Sequence, residues 1–332
     1  MGRRNPVRIY IITIIYNRRI TQIRSLEEFQ IMLHRHPEIS LIIADNSTDE
    51  QILELNRQES EQNGWLRYLE CGGNVGLSRA YNLVLSSIRD NGPYWVMLSD
   101  DDTYFSTDYL ENGYRQVLHE TRLAADTKYR RKPLRMLCGV VLTDSGWISP
   151  RSEKTKEFAL SFLLKQPKPG IYKNLYPINS GLFLEEKLIR DVGGFDERLF
   201  LDQVDYLMMD RIRAAGTSRI GVLPGEIRQS FSGDLERKDA GEDLKSVESR
   251  WKTFRKDFET YCALTKKPWY YRMYLLNRRR AVMRLVRFLR GTGQAGICKE
   301  EWRQESCLEK GRQEDSCKPE KPRQPGSVST KR

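Results

Sequence analysis

Residues 94–102 read YWVMLSDDD, an apolar segment that ends in three consecutive aspartates. Two earlier stretches are built in the same way. VRIYIITIIY at 7–16 runs into polar residues, and ISLIIA at 39–44 is followed by DNSTD at 45–49. Continuous apolar and β-branched runs are typical of strands that are buried on both faces. We therefore predict three buried strands, each followed by polar side chains.

Helices are predicted between these strands. Apolar residues recur at helical spacing from about Ile20 to His34, a second helix passes through Leu53 and Leu55, and a third covers about Ser78–Ile88 after a short strand near 66–69. Strands that alternate with helices predict an open, mostly parallel α/β sheet. In such sheets ligands bind outside the carboxyl ends of the strands, where the strand order reverses.

The second half of the chain is less regular, but it contains further strand and helix patterns. Strands are predicted over Arg135–Leu142, 177–184 and 220–223, and helices over 207–215, 243–264 and 269–290. From Gly291 onward apolar residues become rare, which predicts a disordered tail.

The composition is that of a folded protein without a membrane-spanning helix. Of 332 residues, 39% are hydrophobic and 10% aromatic, which is enough for a core. The mean hydropathy is −0.63, and no apolar run reaches 18 residues. The β-branched start lacks a small-residue cleavage site, so we interpret it as a strand and not as a signal peptide. Six cysteines without a CxxC pair favour a reduced, cytosolic setting and argue against a zinc site.

Positive charge is concentrated in one segment. The net charge is +11, and residues 266–290 hold nine Lys or Arg and no acidic residue, so the rest of the chain carries only +2. Aromatic residues, including Trp269 and Tyr270, lie among these cations. This pattern predicts an amphipathic helix on an anionic membrane surface, or else a helix packed on the protein with a solvated basic face. Nucleic-acid binding is not expected, because no module that reads DNA or RNA accompanies the charge.

Carboxylates at strand ends are the first candidates for chemistry. Asp100, Asp101 and Asp102 can offer oxygen ligands to Mg²⁺ or Mn²⁺, or they can cap a helix in a solvated turn. The apolar strand directly before them fixes them at the sheet edge and favours the metal site. Asp45, followed by Asn46, can accept hydrogen bonds from a ribose or a base, or it can cap the next helix.

Two further motifs follow the predicted strands. Glycines in GGNVG at 72–76 let the backbone approach a phosphate before a helix, although such a stretch can also be an ordinary tight turn. Asp202 and Asp205 can share one helix face and deprotonate a hydroxyl, or they can act as caps. The chain has only three histidines, all outside these motifs, and no Walker-type loop. Ser/His/Asp hydrolysis and phosphoryl transfer from ATP are therefore not expected.

Six motifs occur in a characteristic order: TIIYN (13–17), IADNST (43–48), NVGLSRAYN (74–82), LSDDDTYF (98–105), NSGLFL (179–184) and GGFDERLFLDQVDYLMMDRIRAAG (193–216). Over about residues 7–225, this set resembles the family 2 inverting glycosyltransferases of GT-A fold, particularly the bacterial rhamnosyltransferase-like and galactofuranosyltransferase-like members. The resemblance implies a nucleotide-binding, open mixed sheet, mostly parallel and flanked by helices. The C-terminal helices form an extension to it.

The resemblance also implies roles in binding the donor. Thr13 and Tyr16 would line the nucleotide pocket, and Asp45 would hold uracil, thymine or ribose. Asn74 and Arg79 would lie near the diphosphate or the sugar.

For the metal, the resemblance implies that Asp100 and Asp102 form the DxD pair, with Asp102 as the expected direct ligand and Asp101 among the nucleotide-sugar contacts. Relatives often carry a histidine after the last strand. Here residues 227–232 read IRQSFS, so that ligand is missing, moved, or supplied by Ser or Gln.

For the general base, the resemblance implies Asp202, the acidic residue before the helix 207–215. Many relatives have Glu-Asp where this chain has Asp202-Gln203. The choice between Asp202 and Asp205 therefore stays open.

Together these features imply an inverting transferase that moves a sugar from a UDP- or dTDP-sugar, with Mg²⁺ or Mn²⁺, to a glycan or lipid-linked acceptor. The setting would be cell-surface polysaccharide synthesis of the O-antigen or capsule type, on the cytoplasmic face of the plasma membrane. The expected domains are a catalytic domain 1–228 (halves 1–105 and 106–228), a helical extension 229–290 and a tail 291–332. The alternative is a non-catalytic adaptor with a degenerate transferase fold, tethered by its basic helix.

Overall fold

The computed structural model describes residues 7–89, 92–126, 128, 132–144, 146–152, 165–230 and 244–289. The predicted tail 291–332 lies outside these residues. The chain divides into two units, Met1–Arg272 and Met273–Arg332.

Fourteen strands are present in the described residues. They are β1 (Arg8–Ile15), β2 (Ile39–Asp45), β3 (Leu66–Glu70), β4 (Tyr94–Asp100), β5 (Thr103–Phe105), β6 (Met136–Cys138), β7 (Val141–Thr143), β8 (Gly146–Ser149), β9 (Arg151–Ser152), β10 (Gly170–Lys173), β11 (Leu175–Tyr176), β12 (Leu182–Glu185), β13 (Arg219–Val222) and β14 (Ile227–Gln229).

Eight α-helices are present in the same part of the chain. They are α1 (Leu26–Arg35), α2 (Glu50–Gln62), α3 (Leu77–Ile88), α4 (Thr107–Ala125), α5 (Glu186–Asp191), α6 (Val204–Ala214), α7 (Leu244–Leu264) and α8 (Trp269–Leu289). None of the helices that the structure describes is long and apolar enough to cross a membrane.

The main sheet has eight strands in the order β10-β13-β6-β12-β4-β1-β2-β3. The pairs β1–β2, β1–β4, β2–β3 and β6–β13 are parallel, whereas β12 runs antiparallel to β4 and β6, and β10 runs antiparallel to β13. This mixed sheet with flanking helices confirms the predicted fold class, and the predicted C-terminal helices are present as α7 and α8.

The three apolar runs form the neighbouring strands β4, β1 and β2 of this sheet, and all three are largely buried, as predicted. In β1, Ile9, Ile11, Ile12 and Ile15 are all at most 2% exposed, which requires cover on both faces of the strand. Helix α4 contributes buried side chains to the same core, among them Val117.

A smaller sheet, in the order β5-β14-β7-β8, begins directly after the aspartate triplet. Strand β14 pairs with β5 so that Gln229 lies opposite Thr103. This pairing brings a distant segment of the chain beside the end of β4.

Three sequence predictions were wrong in their boundaries. The first helix begins at Leu26 and not at Ile20, because the side chain of Asn56 bonds to the backbone of Arg18 and Ile20 and holds this segment against α2 as a short 3-10 turn. The predicted strand 177–184 is β12 alone, after a loop that turns at Gly181 with φ of 80°.

The third concerns Arg135–Leu142, which is two strands, β6 and β7, in different sheets. The chain changes sheet around Gly139, where a Cβ would lie 2.6 Å from the ring of Tyr109. Only glycine allows this close approach.

Candidate active site

The predicted site residues gather at the carboxyl edge of the main sheet. Ile14 of β1 lies opposite Asp100 of β4, and Ile15 lies opposite Asp45 of β2. The chain continues from β1 to β2 and β3 on one side and returns to β4 on the other, so the strand order reverses between β1 and β4. That reversal is the place where open α/β sheets bind their ligands.

Asp45 is fully buried and is held by protein donors. It accepts hydrogen bonds from the backbone N–H of Ser47 at 2.9 Å, the side-chain amide of Asn56 at 2.7 Å and the hydroxyl of Tyr68 at 2.8 Å. Burial and this bond raise the pKa of Tyr68 far above its usual value. Asp45 does not cap the next helix, which was the alternative. That role falls to Asp49, whose carboxylate accepts from the first turn of α2.

The other residues expected in the nucleotide pocket differ in exposure. Thr13 is fully buried on β1, and its hydroxyl has no hydrogen-bond partner among the described residues. Tyr16, just past the end of β1, is 49% exposed. Arg79 is an exposed residue of α3.

The glycine loop is tied to the end of β2 by two asparagines. The amide of Asn46 donates to Asn74 at 3.0 Å and accepts from the backbone N–H of Val75 at 2.8 Å. Gly76 has φ of 85° and is followed at once by α3. The loop thus precedes a helix N-terminus, as predicted for a segment that approaches a phosphate.

Asp100 and Asp102 share one amide group. Gln229 Nε2 donates to Asp100 Oδ2 at 3.1 Å and to Asp102 Oδ1 at 3.2 Å, and the Ser180 hydroxyl also donates to Asp100. Of the alternatives for the missing histidine, the structure therefore brings Gln229 to the aspartates. Asp101 turns toward Arg18, with 3.3 Å between Oδ1 and Nη1.

Burial makes these carboxylates hard to ionise. It raises the pKa of Asp100 to about 6, and the charge of Asp102 adds to this effect. It raises the pKa of Asp101 to about 7 against the opposing influence of Arg18, and it also raises the pKa of Asp102. Removal from water, which disfavours the charged form, is therefore the main cause of the raised pKa values.

Asp202 and Asp205 approach the same cluster. Burial raises the pKa of Asp205 to about 7, and the charges of Asp100 and Asp202 raise it further, while a bond from the backbone N–H of Tyr206 opposes the shift. Asp202 instead forms a two-pronged ion pair with Arg250 of α7, with 2.9 Å between Nη2 and Oδ1. The two candidate bases therefore have different electrostatic surroundings.

The sequence analysis missed Arg250 and Asp257, two residues of α7 that contact the loop before α6. Asp257 is fully buried and accepts hydrogen bonds from three backbone amides at 200–202. The sequence contains a signal for Asp257, because helical spacing puts Asp257 on the same helix face as the aromatic residues Phe254, Phe258 and Tyr261. A carboxylate on an otherwise apolar helix face requires a polar partner.

Within the described residues, no group of three or more His, Cys, Asp or Glu side chains could hold a metal ion. A cation here would have two carboxylates, the Gln229 amide and ligands from outside the protein.

Residues 10–164 match a protein-family model with the description "Glycosyl transferase family 2". This segment resembles glycosyltransferases. The match covers just under half of the chain and includes Asp45, Asn74 and the aspartate triplet, but it ends before Asp202. It supports a glycosyltransferase of family 2, the broader class that the sequence motifs predicted. A search for curated relatives finds no match.

Solved structures with a similar course of the chain include S. aureus TarS, with 15% identity, a TM-score of 0.49 and coverage of 76% of this chain and 39% of that one. TarS 1–349 of S. aureus has 15% identity, a TM-score of 0.49 and coverage of 81% and 69%. GalNAc-T7 with UDP, GalNAc and Mn²⁺ has 12% identity, a TM-score of 0.47 and coverage of 68% and 44%. The chain spans about two fifths of the length of TarS and GalNAc-T7.

Proposed function

We propose that the protein is an inverting glycosyltransferase that moves a sugar from a UDP- or dTDP-sugar to a glycan or lipid-linked acceptor. The observation that carries the proposal is the set of partly buried carboxylates at the point where the strand order reverses. Asp100 and Asp102 share the Gln229 amide there, and Asp205 interacts with Asp100 through its charge.

The proposed donor side consists of the ends of β1, β2 and β4 together with the glycine loop. The ring of Tyr16 is exposed just past the end of β1, and the hydroxyl of Thr13, which is buried, has no hydrogen-bond partner among the described residues. Asn74 and the N-terminus of α3 suit the diphosphate, because the helix dipole favours anions at this end of a helix. Arg79, on the first turn of α3, adds positive charge.

The oxygen ligands that Asp100 and Asp102 offer suit Mg²⁺ or Mn²⁺. Asp100 and Asp102 would hold the cation. Gln229 points its Nε2 at both carboxylates, so its Oε1, which lacks a hydrogen-bond partner in the described part of the chain, would become a further oxygen ligand only if the amide group turned over. These cations prefer oxygen ligands and commonly use one or two carboxylates together with substrate phosphates. When bound, the metal supplies positive charge for a diphosphate leaving group.

A carboxylate on the acceptor side completes the proposed chemistry. An acceptor hydroxyl loses its proton only at high pH, so a base must remove that proton as the new bond forms. Asp202 and Asp205 are the candidates. A single displacement, with the base opposite the leaving group, inverts the anomeric carbon, as in inverting glycoside hydrolases.

We place the acceptor at a membrane surface because of helix α8. Its side chains Trp269, Tyr270 and Tyr274 are 77%, 64% and 63% exposed, and the segment 266–290 is basic. Aromatic and basic side chains together favour an anionic bilayer surface. A lipid-linked acceptor in cell-surface polysaccharide synthesis, on the cytoplasmic face of the plasma membrane, agrees with this location.

The first test is a search for the donor. A panel of UDP- and dTDP-sugars with Mn²⁺ should contain at least one that raises the melting temperature, because a ligand that binds only the folded state stabilises it. The same compound should be turned over. Asp102→Ala should reduce turnover on the order of 100-fold or more, as expected when charge stabilisation of a leaving group is lost.

Asp108→Ala is the matched control, because Asp108 is an exposed carboxylate on the first turn of α4. It should retain full turnover. If no nucleotide sugar is turned over and neither UDP nor dTDP binds in calorimetry, the adaptor alternative is correct and the transferase proposal is wrong.

A further inference from the structure

The loop 199–203, directly before α6, is held from two sides. On one side, Phe200 O accepts a hydrogen bond from the backbone N–H of Leu77 at 2.6 Å, and the Phe200 ring packs against Gly76. On the other side lies helix α7, which is distant in sequence. The loop ends at Gln203, whose φ of 63° is unusual for a residue with a side chain.

The carboxylate of Asp257, on α7, accepts hydrogen bonds from three consecutive backbone amides of this loop. Its Oδ1 accepts from Phe200 N at 2.9 Å, and its Oδ2 accepts from Leu201 N at 2.7 Å and from Asp202 N at 2.8 Å. Successive N–H groups that point to one place form a binding site for an anion. Here the chain supplies that anion itself, from a fully buried side chain.

Arg250 of the same helix holds the side chain of Asp202. The two residues form a two-pronged ion pair, and the Asp202 side chain is only 15% exposed. Arg250 precedes Asp257 by seven residues, which is two helical turns, so both side chains leave α7 on the same face. Helix α7 therefore contacts Asp202 twice, at its backbone N–H and at its carboxylate.

We propose that Arg250 and Asp257 are positioning residues for the transfer reaction. Asp257 fixes the backbone that carries Asp202, and Arg250 fixes the orientation of the Asp202 carboxylate. This inference rests on the proposed function for its catalytic meaning. The group that Arg250 aligns lies among other charges, since Asp205 and Asp100 face the same cluster.

Amide hydrogen exchange tests the backbone contact without any need for activity. In the full-length protein, Asp257→Ala should make the amides of residues 200–202 exchange at least about tenfold faster, while Asp257→Asn, which keeps the shape and some of the acceptors, should have a smaller effect. Glu259→Gln is the matched control, because Glu259 pairs with Arg255 on the same helix. Unchanged exchange in a folded Asp257→Ala variant would overturn the proposal.

Steady-state kinetics test whether Arg250 and Asp257 contribute to the rate of the transfer reaction. With the nucleotide sugar found in the panel, Asp257→Asn and Arg250→Gln should lower kcat about 10- to 100-fold and leave the KM of the donor unchanged, since small displacements of reacting groups cost this much. Arg250→Lys should restore part of the rate. In a double-mutant cycle, Arg250→Gln should have no further effect once Asp202 is replaced by Asn.

Two outcomes separate this inference from the proposed function. If Arg250→Gln lowers kcat equally in the wild type and in the Asp202→Asn background, Arg250 does not act through Asp202 and the inference is wrong. If the wild type turns over no nucleotide sugar and binds neither UDP nor dTDP, the proposed function is wrong. Hydrogen exchange then decides by itself whether α7 positions the loop.

Discussion

Asp202 and Asp205 are three residues apart, but the structure gives their carboxylates different neighbours. Asp202 faces the guanidinium of Arg250, whereas Asp205 faces the negative charges of Asp100 and Asp202. The sequence could predict that both residues lie near the start of one helix. It could not distinguish between them, because Arg250 comes from a helix about fifty residues further along the chain.

Asp205 should make stability depend on pH. Its pKa is about 7 in the folded protein and near 3.9 in an unfolded chain, so the folded state holds the proton more tightly. This contribution is fully present below about pH 4 and is lost as the pH rises through 7. In the presence of EDTA, Asp205→Asn should therefore lose less stability than the wild type between pH 4 and 8.

Melting temperatures of the two proteins across this range provide the measurement. Asp196→Asn is the matched control, because Arg198 lowers the pKa of Asp196, so its contribution changes only below about pH 4 and its curve should run parallel to that of the wild type above this pH. Parallel curves for the wild type and Asp205→Asn would contradict the prediction.

At the scale of elements, strands β1, β2 and β4 could be predicted closely from the sequence, because a strand buried on both faces has a continuous apolar run. The division of 135–142 into β6 and β7 could not be predicted. It depends on close approach between Gly139 and the ring of Tyr109, which is distant in the sequence. The same holds for Gln229, which reaches the aspartates only through the pairing of β14 with β5.

Substitution of Gly76 tests how the glycine loop is joined to α3, because Gly76 connects the two. Its φ is 85°, and a Cβ would lie 2.6 Å from the Phe200 ring and 2.8 Å from the Phe200 carbonyl oxygen. Gly76→Ala should lower the free energy of unfolding by about 2 kcal/mol or more, since backbone strain and a clash act together.

Two other glycines separate these causes. Gly72 also has a positive φ of 78°, but a Cβ there would meet nothing within 4 Å, and Gly64 has neither feature. Chemical denaturation should therefore rank the alanine variants in the order Gly76, Gly72, Gly64, with the largest loss at Gly76. An equal loss at Gly72 and Gly76 would mean that contact with Phe200 contributes nothing.

At the scale of the whole molecule, the sequence predicted the class of fold, whereas the helical extension 229–290 with its basic segment 266–290 stays a prediction. The division of the catalytic domain at 105 and 228 stays a prediction. Cys71, Cys138 and Cys262 are buried, and the reduced setting inferred from cysteine spacing stays a prediction.

Membrane association is the prediction that belongs to this scale. The full chain should sediment with vesicles that contain phosphatidylglycerol and not with pure phosphatidylcholine. Replacing Trp269, Tyr270 and Tyr274 with serine should lower the bound fraction at least about fivefold, because these exposed rings would enter the interface. Ile171→Ser, at an apolar side chain that is 45% exposed on β10, should leave binding unchanged. Equal sedimentation of all three proteins would show that the aromatic face of α8 has no part in binding.

The two contacts of α7 with the loop before α6 have a consequence for protein engineering. A chimera that borrows only residues 10–164, the part recognised by the family model, would carry Asp45 and the aspartate triplet but would leave Arg250 and Asp257 behind. The natural unit for exchange with another enzyme therefore extends at least to the middle of α7.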